Sequence, residues 1–324
     1  MTVAEMNTAL KPFALKPSVS SVAFRNILVA TDFSEPSRRA LCEALTLAEE
    51  NNAQLSVVHV LHANRKYAAL DNPPELDLER IAAEKQITAL LDELKPERKI
   101  EVFVRHGHVE SQVESVIEEK AIDLLVIGTR GRGSVHKLAL GSVAEELLRV
   151  ATCPVMTIGP QVEIAAFTRK AGFHTILFAT DFGKGSAKAM PVTLALARAQ
   201  QAKLILLHMI PPIPSTSANM CSYAPATAAA DTVQEWEGTS RARALEQLKK
   251  CLPAETGLEQ EPRYIVGTDF LAEGVLRASV KFNVDLIVMG ANQTTSPRMA
   301  AHIPWTTVHE VIREATCPVL TVAG

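Results

Sequence analysis

Short apolar, β-branched runs alternate along the chain with stretches whose apolar positions recur every three to four residues. This is the alternation of βαβ units around a parallel sheet buried on both faces. In the first half the apolar runs predict strands at 26–30, 54–60, 100–105, 124–127 and 155–158. The helix after the first run places Ala40, Leu41, Ala44, Leu45 and Ala48 on one stripe, and the last helix does the same with Ala144, Leu147, Leu148 and Ala151. Both stripes have helical period and should face the sheet.

The pattern occurs twice. Residues 27–33 read ILVATDF and residues 176–182 read ILFATDF, an offset of 149 that also carries Ser37 onto Ser186, Leu45 onto Leu194 and His59 onto His208. Residues 123–128 (DLLVIG) recur at 285–290 as DLIVMG, and ATCPV at 151–155 recurs at 315–319. Ala189, Met190, Thr193, Leu194 and Ala197 repeat the first stripe, and Val308, Val311, Ile312 and Ala315 repeat the last. A duplicated domain follows: an N-terminal tail at 1–23, a first unit at 24–159, a linker at 160–172 and a second unit at 173–324. Two segments depart from the pattern, 61–77 and 209–232. Each follows the second strand, at the rim where parallel sheets bind ligands, and reads as a tolerated surface insertion, with a flap over a site as the alternative.

Composition narrows the class. The 324 residues suit two domains of ordinary size, and 47% hydrophobic against 21% charged residues is a globular balance. The net charge of −3 gives no field to recruit nucleic acid or anionic lipid. No run has the length of a membrane span, the first residues lack the apolar core of a secretory signal, and five scattered cysteines form no CxxC pair. A cytoplasmic protein with no membrane or nucleic-acid partner is expected.

The chemistry gathers after the fourth strand. Gly128, Gly131, Gly141 and Ser142 have the spacing G-x-x-G-x9-G-S. Glycines there let the backbone turn with positive φ and approach a ligand, and Gly141, Ser142 and Val143 should offer free N–H groups at a helix start, a cradle for phosphate. Arg130, Arg132 and Lys137 add positive charge. Ser134 stands where a P-loop needs Lys, and Gly131 and Gly133 lack the third glycine of a dinucleotide fingerprint. Asp32, just after the first strand, suits both a cap for the next helix and an acceptor for a sugar hydroxyl. His309 and Glu310 begin a zinc-helix pattern without its second His, His106 and His108 have no third ligand nearby, His59 and His208 read as satisfied strand-end residues, and Cys153 and Cys317 as inert core thiols.

Together the Ala30-Thr31-Asp32 strand end, His59 and Val60 ending the second strand, the glycine loop and the Cys-Pro-Val fifth strand resemble the universal stress protein family, in both units and over nearly the whole chain. The resemblance implies α/β architecture with two tandem Rossmann-like domains of the adenine nucleotide alpha-hydrolase type, each a five-stranded parallel sheet of order 3-2-1-4-5. It implies ATP with Mg²⁺ as cofactor in the first unit. Adenine would lie near Ala30, Thr31 and Val60, ribose near Asp32 and Gly128, and phosphates on Gly131, Gly141, Ser142 and Val143, with Ile127, Arg130 and Arg132 also among the cofactor-binding residues. It also implies that the apolar fifth strands, too apolar for bare edges, cover each other within the chain, and that whole chains can form a homodimer. In the second unit Trp305 aligns with Gly141 and Thr306 with Ser142, with Pro304 beside them, so that phosphate site should be lost. No activated nucleophile or general base accompanies the loop, which favours a regulatory module in the stress response over a dedicated enzyme. The alternatives are a slow ATPase or other enzyme of the same class, and a ligand-free structural adaptor.

Overall fold

The structure is a computed structural model that describes residues 24–62, 74–129, 140–162, 172–210, 226–291 and 305–324. The first unit runs β1 (Asn26–Ala30), α1 (Glu35–Asn51), β2 (Gln54–His62), α2 (Pro74–Leu94), β3 (Glu101–Gly107), α3 (Val109–Glu119), β4 (Leu124–Gly128), α4 (Ser142–Val150) and β5 (Val155–Ile158). The second runs β6 (Thr175–Ala179), α5 (Lys184–Ala199), β7 (Lys203–Ile210), α6 (Ala226–Lys250), β8 (Arg263–Thr268), α7 (Leu271–Lys281), β9 (Leu286–Ala291), α8 (Trp305–Glu314) and β10 (Val319–Ala323). Of the two irregular segments expected, residues 61–62 prolong β2, 74–77 open α2, 209–210 end β7 and 226–232 lie in α6; the remainder falls outside the described residues.

Each unit has the strand order 3-2-1-4-5, and all pairings within a unit are parallel. The order reverses between β1 and β4, so the connections leave β1 in opposite directions and open a crevice at the strand carboxyl ends. Local signals set the helix limits. Ser34 caps α1 by accepting from the Ser37 N–H, Pro36 lies in its first turn, and the chain leaves it through Asn52 in the left-handed region at φ 54°.

Burial follows the apolar pattern. Successive residues of each central strand point to opposite faces: Leu28, Leu125, Leu177 and Ile287 lie in one core, and Val29, Val126, Phe178 and Val288 in the other. Ala40, Leu41, Ala44 and Ala48 are buried as expected, but Leu47 is buried too and Leu45 is only half-buried. The stripe is rotated toward Leu47 because α1 packs on the β4 and β5 side of the sheet as well as on its own strand.

The two five-stranded halves run into one ten-stranded sheet where β5 and β10 pair antiparallel, Val319 opposite Thr157 and Thr321 opposite Val155. Both cores therefore hold residues of both units. Two buried hydroxyls add to the ladder in mirror fashion: Thr157 Oγ1 donates to the Val319 carbonyl at 3.1 Å and Thr321 Oγ1 to the Val155 carbonyl at 3.2 Å. Gly159 lies so close to α8 that a Cβ would sit 2.7 Å from the Ile312 carbonyl oxygen. Each threonine hydroxyl should contribute ~1 kcal/mol, the usual net worth of an intramolecular hydrogen bond. Thr157→Val and Thr321→Val, which keep the shape, should each lower the unfolding free energy by that amount in urea melts, and unchanged midpoints would show that the hydroxyls add nothing to the join.

Candidate functional site

At the end of β1 the chain makes a tight turn built from five short contacts. The Thr31 N–H continues the ladder to the Val58 carbonyl at 2.9 Å. The Thr31 hydroxyl, buried, accepts the Phe33 N–H at 3.1 Å and lies 3.1 Å from the Ser37 hydroxyl. Asp32 Oδ1 accepts the Ser34 N–H at 3.0 Å, and His59 Nδ1 meets the Thr31 carbonyl at 2.7 Å. Phe33 sits at φ 62°, a conformation unfavourable for a side chain this bulky, with its ring 4.5 Å from that of His59.

The second unit repeats the turn. Thr180 accepts the Phe182 N–H at 2.9 Å, Asp181 accepts the Gly183 N–H at 2.8 Å, and His208 meets the Thr180 carbonyl at 2.8 Å. Phe182 has φ 61° and its ring lies 4.3 Å from that of His208. Burial pulls the His208 imidazole below its ordinary value, against the pull of the Thr180 carbonyl and Asp181. The capping differs. Gly183 replaces Ser34 and has no hydroxyl to cap α5, and Ser186 instead donates to Asp181 Oδ1 at 2.6 Å. In both units the aspartate braces the turn.

The fourth strand ends against this turn. A Cβ on Gly128 would lie 2.6 Å from the Pro36 carbonyl carbon and 2.7 Å from the Ser37 nitrogen, and on Gly290 it would lie 2.1 Å from main-chain atoms of Gly185 and Ser186. Neither glycine has positive φ. The conformational freedom expected at Gly128 is therefore not what the position uses; it needs the absence of a side chain where two backbones touch. Gly141 corrects the same expectation, since it sits at φ −66° as the N-cap of α4.

The start of α4 is tied to β4 directly. The Gly141 N–H donates to the Thr129 carbonyl at 2.9 Å, so it is not one of the free donors expected there. That bond leaves Ser142 and Val143, both exposed, as the first N–H groups of the helix, and no side chain caps them among the described residues. Arg130, Gly131, Arg132, Gly133, Ser134 and Lys137 lie outside the described residues. In the second unit β9 runs one residue further, to Ala291, whose carbonyl accepts the Gly324 N–H at 2.7 Å. Trp305 opens α8, but its side chain lies outside the described residues.

Ala30, Asp32 and Gly128 are half-buried at this rim, and Thr31, Val60 and Ile127 are buried. Sequence reasoning missed Thr129 and Ser37, which position the helix starts; only the repeat of Ser37 at Ser186 hinted at them. A cavity of about 470 Å³ lies elsewhere, at the amino ends of β2 and β3 between Glu49, Arg98 and Lys99, and contains none of the expected site residues. His106 and His108 gather no third ligand, and no group of three potential metal-binding side chains occurs among the described residues. Burial pushes the Cys153 thiol up to about 12, as an inert core residue requires.

Comparison with known proteins agrees with the repeat. The sequence profile of the universal stress protein family matches residues 23–159 and 172–323. A universal stress protein A homolog of Coxiella burnetii is 36% identical over 140 residues, 42% of this chain and 96% of that protein. A Bacillus subtilis universal stress protein is 29% identical over 146 residues, 42% of this chain and 99% of its own length. The crystal structure of a universal stress protein from Archaeoglobus fulgidus superposes with a TM-score of 0.63 at 19% identity, covering 94% of this chain and 97% of that one.

If close backbone contact is what Gly128 and Gly290 serve, a methyl group at either must push α1 or α5 off the sheet. Gly128→Ala should cost about 1–3 kcal/mol, the range for overpacking a core. Gly290→Ala should cost at least as much, because its contacts are shorter. Denaturant titration of both variants with wild-type midpoints would show that the backbones yield freely.

Proposed function

Because the chain belongs to the universal stress protein family in both halves, we propose that it is a nucleotide-dependent regulatory module of the stress response that binds ATP in its first unit alone. The observation that carries this reading is the start of α4. Gly141 is held against the end of β4 by the Thr129 carbonyl, and the N–H groups of Ser142 and Val143, which no side chain among the described residues caps, open at the carboxyl rim beside Ala30, Asp32 and Gly128. Unsatisfied N–H groups and the positive end of a helix suit a phosphate, and half-buried Ala30 with the carboxylate of Asp32 suits a nucleoside beside it.

Ser142 and Val143 would hold the phosphates, helped by Gly131 and by the positive charges of Arg130, Arg132 and Lys137, with Mg²⁺ offsetting the remaining charge. Asp32 keeps its bond to the Ser34 N–H and accepts a ribose hydroxyl with its remaining lone pairs. In the second unit Asp181 is engaged by Ser186, and the residue in place of Gly141 is Trp305, so the same ligand is excluded. That unit serves as scaffold and partner surface, joined to the first through β5 and β10, with whole chains associating as homodimers. No described helix is long and apolar enough to cross a membrane. We place the protein in the cytoplasm, where thiols such as those of Cys42, Cys153 and Cys251 stay reduced.

Gly141→Val tests the site without straining the backbone, since φ −66° is open to any residue. The added isopropyl group stands where the phosphates would lie. Fluorescent ATP analogue titrations should show affinity reduced at least about tenfold, equivalent to ~1.4 kcal/mol, with the melting temperature of the unliganded protein near wild type. Wild-type affinity in this variant removes the helix start from the site.

A further inference from the structure

One half-buried carboxyl belongs to neither the nucleotide site nor the sheet join. Glu50, on the last turn of α1, is half-buried where the first unit meets the second. Its Oε2 accepts a bond from Nε2 of Gln200, the residue that ends α5, at 2.9 Å. Its Oε1 is buried and, among the described residues, makes no hydrogen bond of good geometry, the Gly172 main chain lying nearest to it. Gly172, at φ 99°, lies over the pair so closely that a Cβ there would sit 2.1 Å from Gln200 Oε1 and 3.9 Å from Glu50 Oε1. The repeat puts Ala199 at the matching position of α5, so the second unit offers no second carboxyl and the contact is one-sided.

An ionised carboxylate needs all its oxygens solvated or bonded, and burying one without a partner is costly. A neutral carboxyl in the same place carries much less of that cost. We propose that Glu50 is a proton-sensitive latch between the units: neutral, it holds the end of α1 against Gln200 and Gly172, and ionised, it loosens that seam. Burial raises its proton affinity above the ordinary glutamate value, partly opposed by the Gln200 bond and the Gly172 main chain. The ionisable groups facing it are His174, which favours the charged form, and Glu49, which disfavours it.

The sign follows from the raised value. A group that holds its proton more tightly folded than unfolded contributes stability that is complete below the unfolded value, ~4.3 for glutamate. That stability is lost as pH rises through the higher folded value. The latch is therefore closed in mild acid and opens toward neutral pH. It stands apart from the nucleotide reading, because it involves no residue of that rim.

The test uses the full chain labelled with ¹³C at the glutamate carboxyls, titrated from about pH 4 to about pH 8, the range that brackets glutamate and histidine. Hydrogen exchange of the last turns of α1 and α5 is followed alongside. The Glu50 carboxyl should titrate above the other glutamates, and protection of those turns, corrected for intrinsic exchange, should fall over the same interval. Glu50→Gln should keep the Gln200 contact and abolish the fall, while His174→Gln should move the Glu50 midpoint higher without abolishing it. A Glu50 carboxyl titrating with or below the surface glutamates overturns the proposal, as does a loss of protection that survives in Glu50→Gln. Should Glu50→Gln fail to fold, the wild-type carboxyl titration alone still decides.

Discussion

At the carboxyl rim of each unit the main chain of the first helix lies directly on the end of the fourth strand, closer than any side chain allows. Gly128 meets Pro36 and Ser37, and Gly290 meets Gly185 and Ser186. The other features of the rim depend on that contact. It requires the chain to leave β1 and β6 by an abrupt turn. Such a turn forces Phe33 and Phe182 into the left-handed region. The threonine, aspartate and histidine bonds then hold a conformation that a bulky residue would otherwise abandon. The depth of the crevice between β1 and β4 is thereby set by backbone packing, before any ligand is considered.

On this common frame the two units diverge through the use of a few polar groups. The carbonyl after the fourth strand accepts the helix cap in the first unit, Gly141 to Thr129, and extends the β9–β10 ladder in the second, Gly324 to Ala291. The helix-capping hydroxyl is Ser34 in the first unit, whereas in the second Ser186 turns to Asp181. The first unit thus ties its helix start to the end of β4, and in the second the aspartate takes a serine hydroxyl in addition to the turn N–H. The duplication keeps the scaffold and changes which donors and acceptors remain for a ligand.

Strand positions and most of the buried helical positions were legible in the sequence because they rest on period and repetition, which local composition records, whereas the strand order came only with the resemblance to the universal stress protein family. Leu47 escaped because the stripe on α1 is set by β4 and β5, far along the chain, as well as by its own strand. Gly128 was recognised as special for the wrong reason: a motif shows that glycine is needed, but only geometry separates a requirement for positive φ from a requirement for close approach. The Gly141 N–H was expected to be free because nothing local reveals that Thr129 takes it. Glu50 gave no signal, since glutamate at the end of a helix is ordinary until a second unit covers it.

The central claim is asymmetry: a shared frame with one nucleotide site. Calorimetric titration of the full chain with ATP and Mg²⁺ tests it most directly, because stoichiometry distinguishes one competent unit from two. The account predicts a single class of site with about one nucleotide per chain, following the single intact G-x-x-G-x9-G-S loop. Saturation near two per chain, or no binding at all, would contradict it.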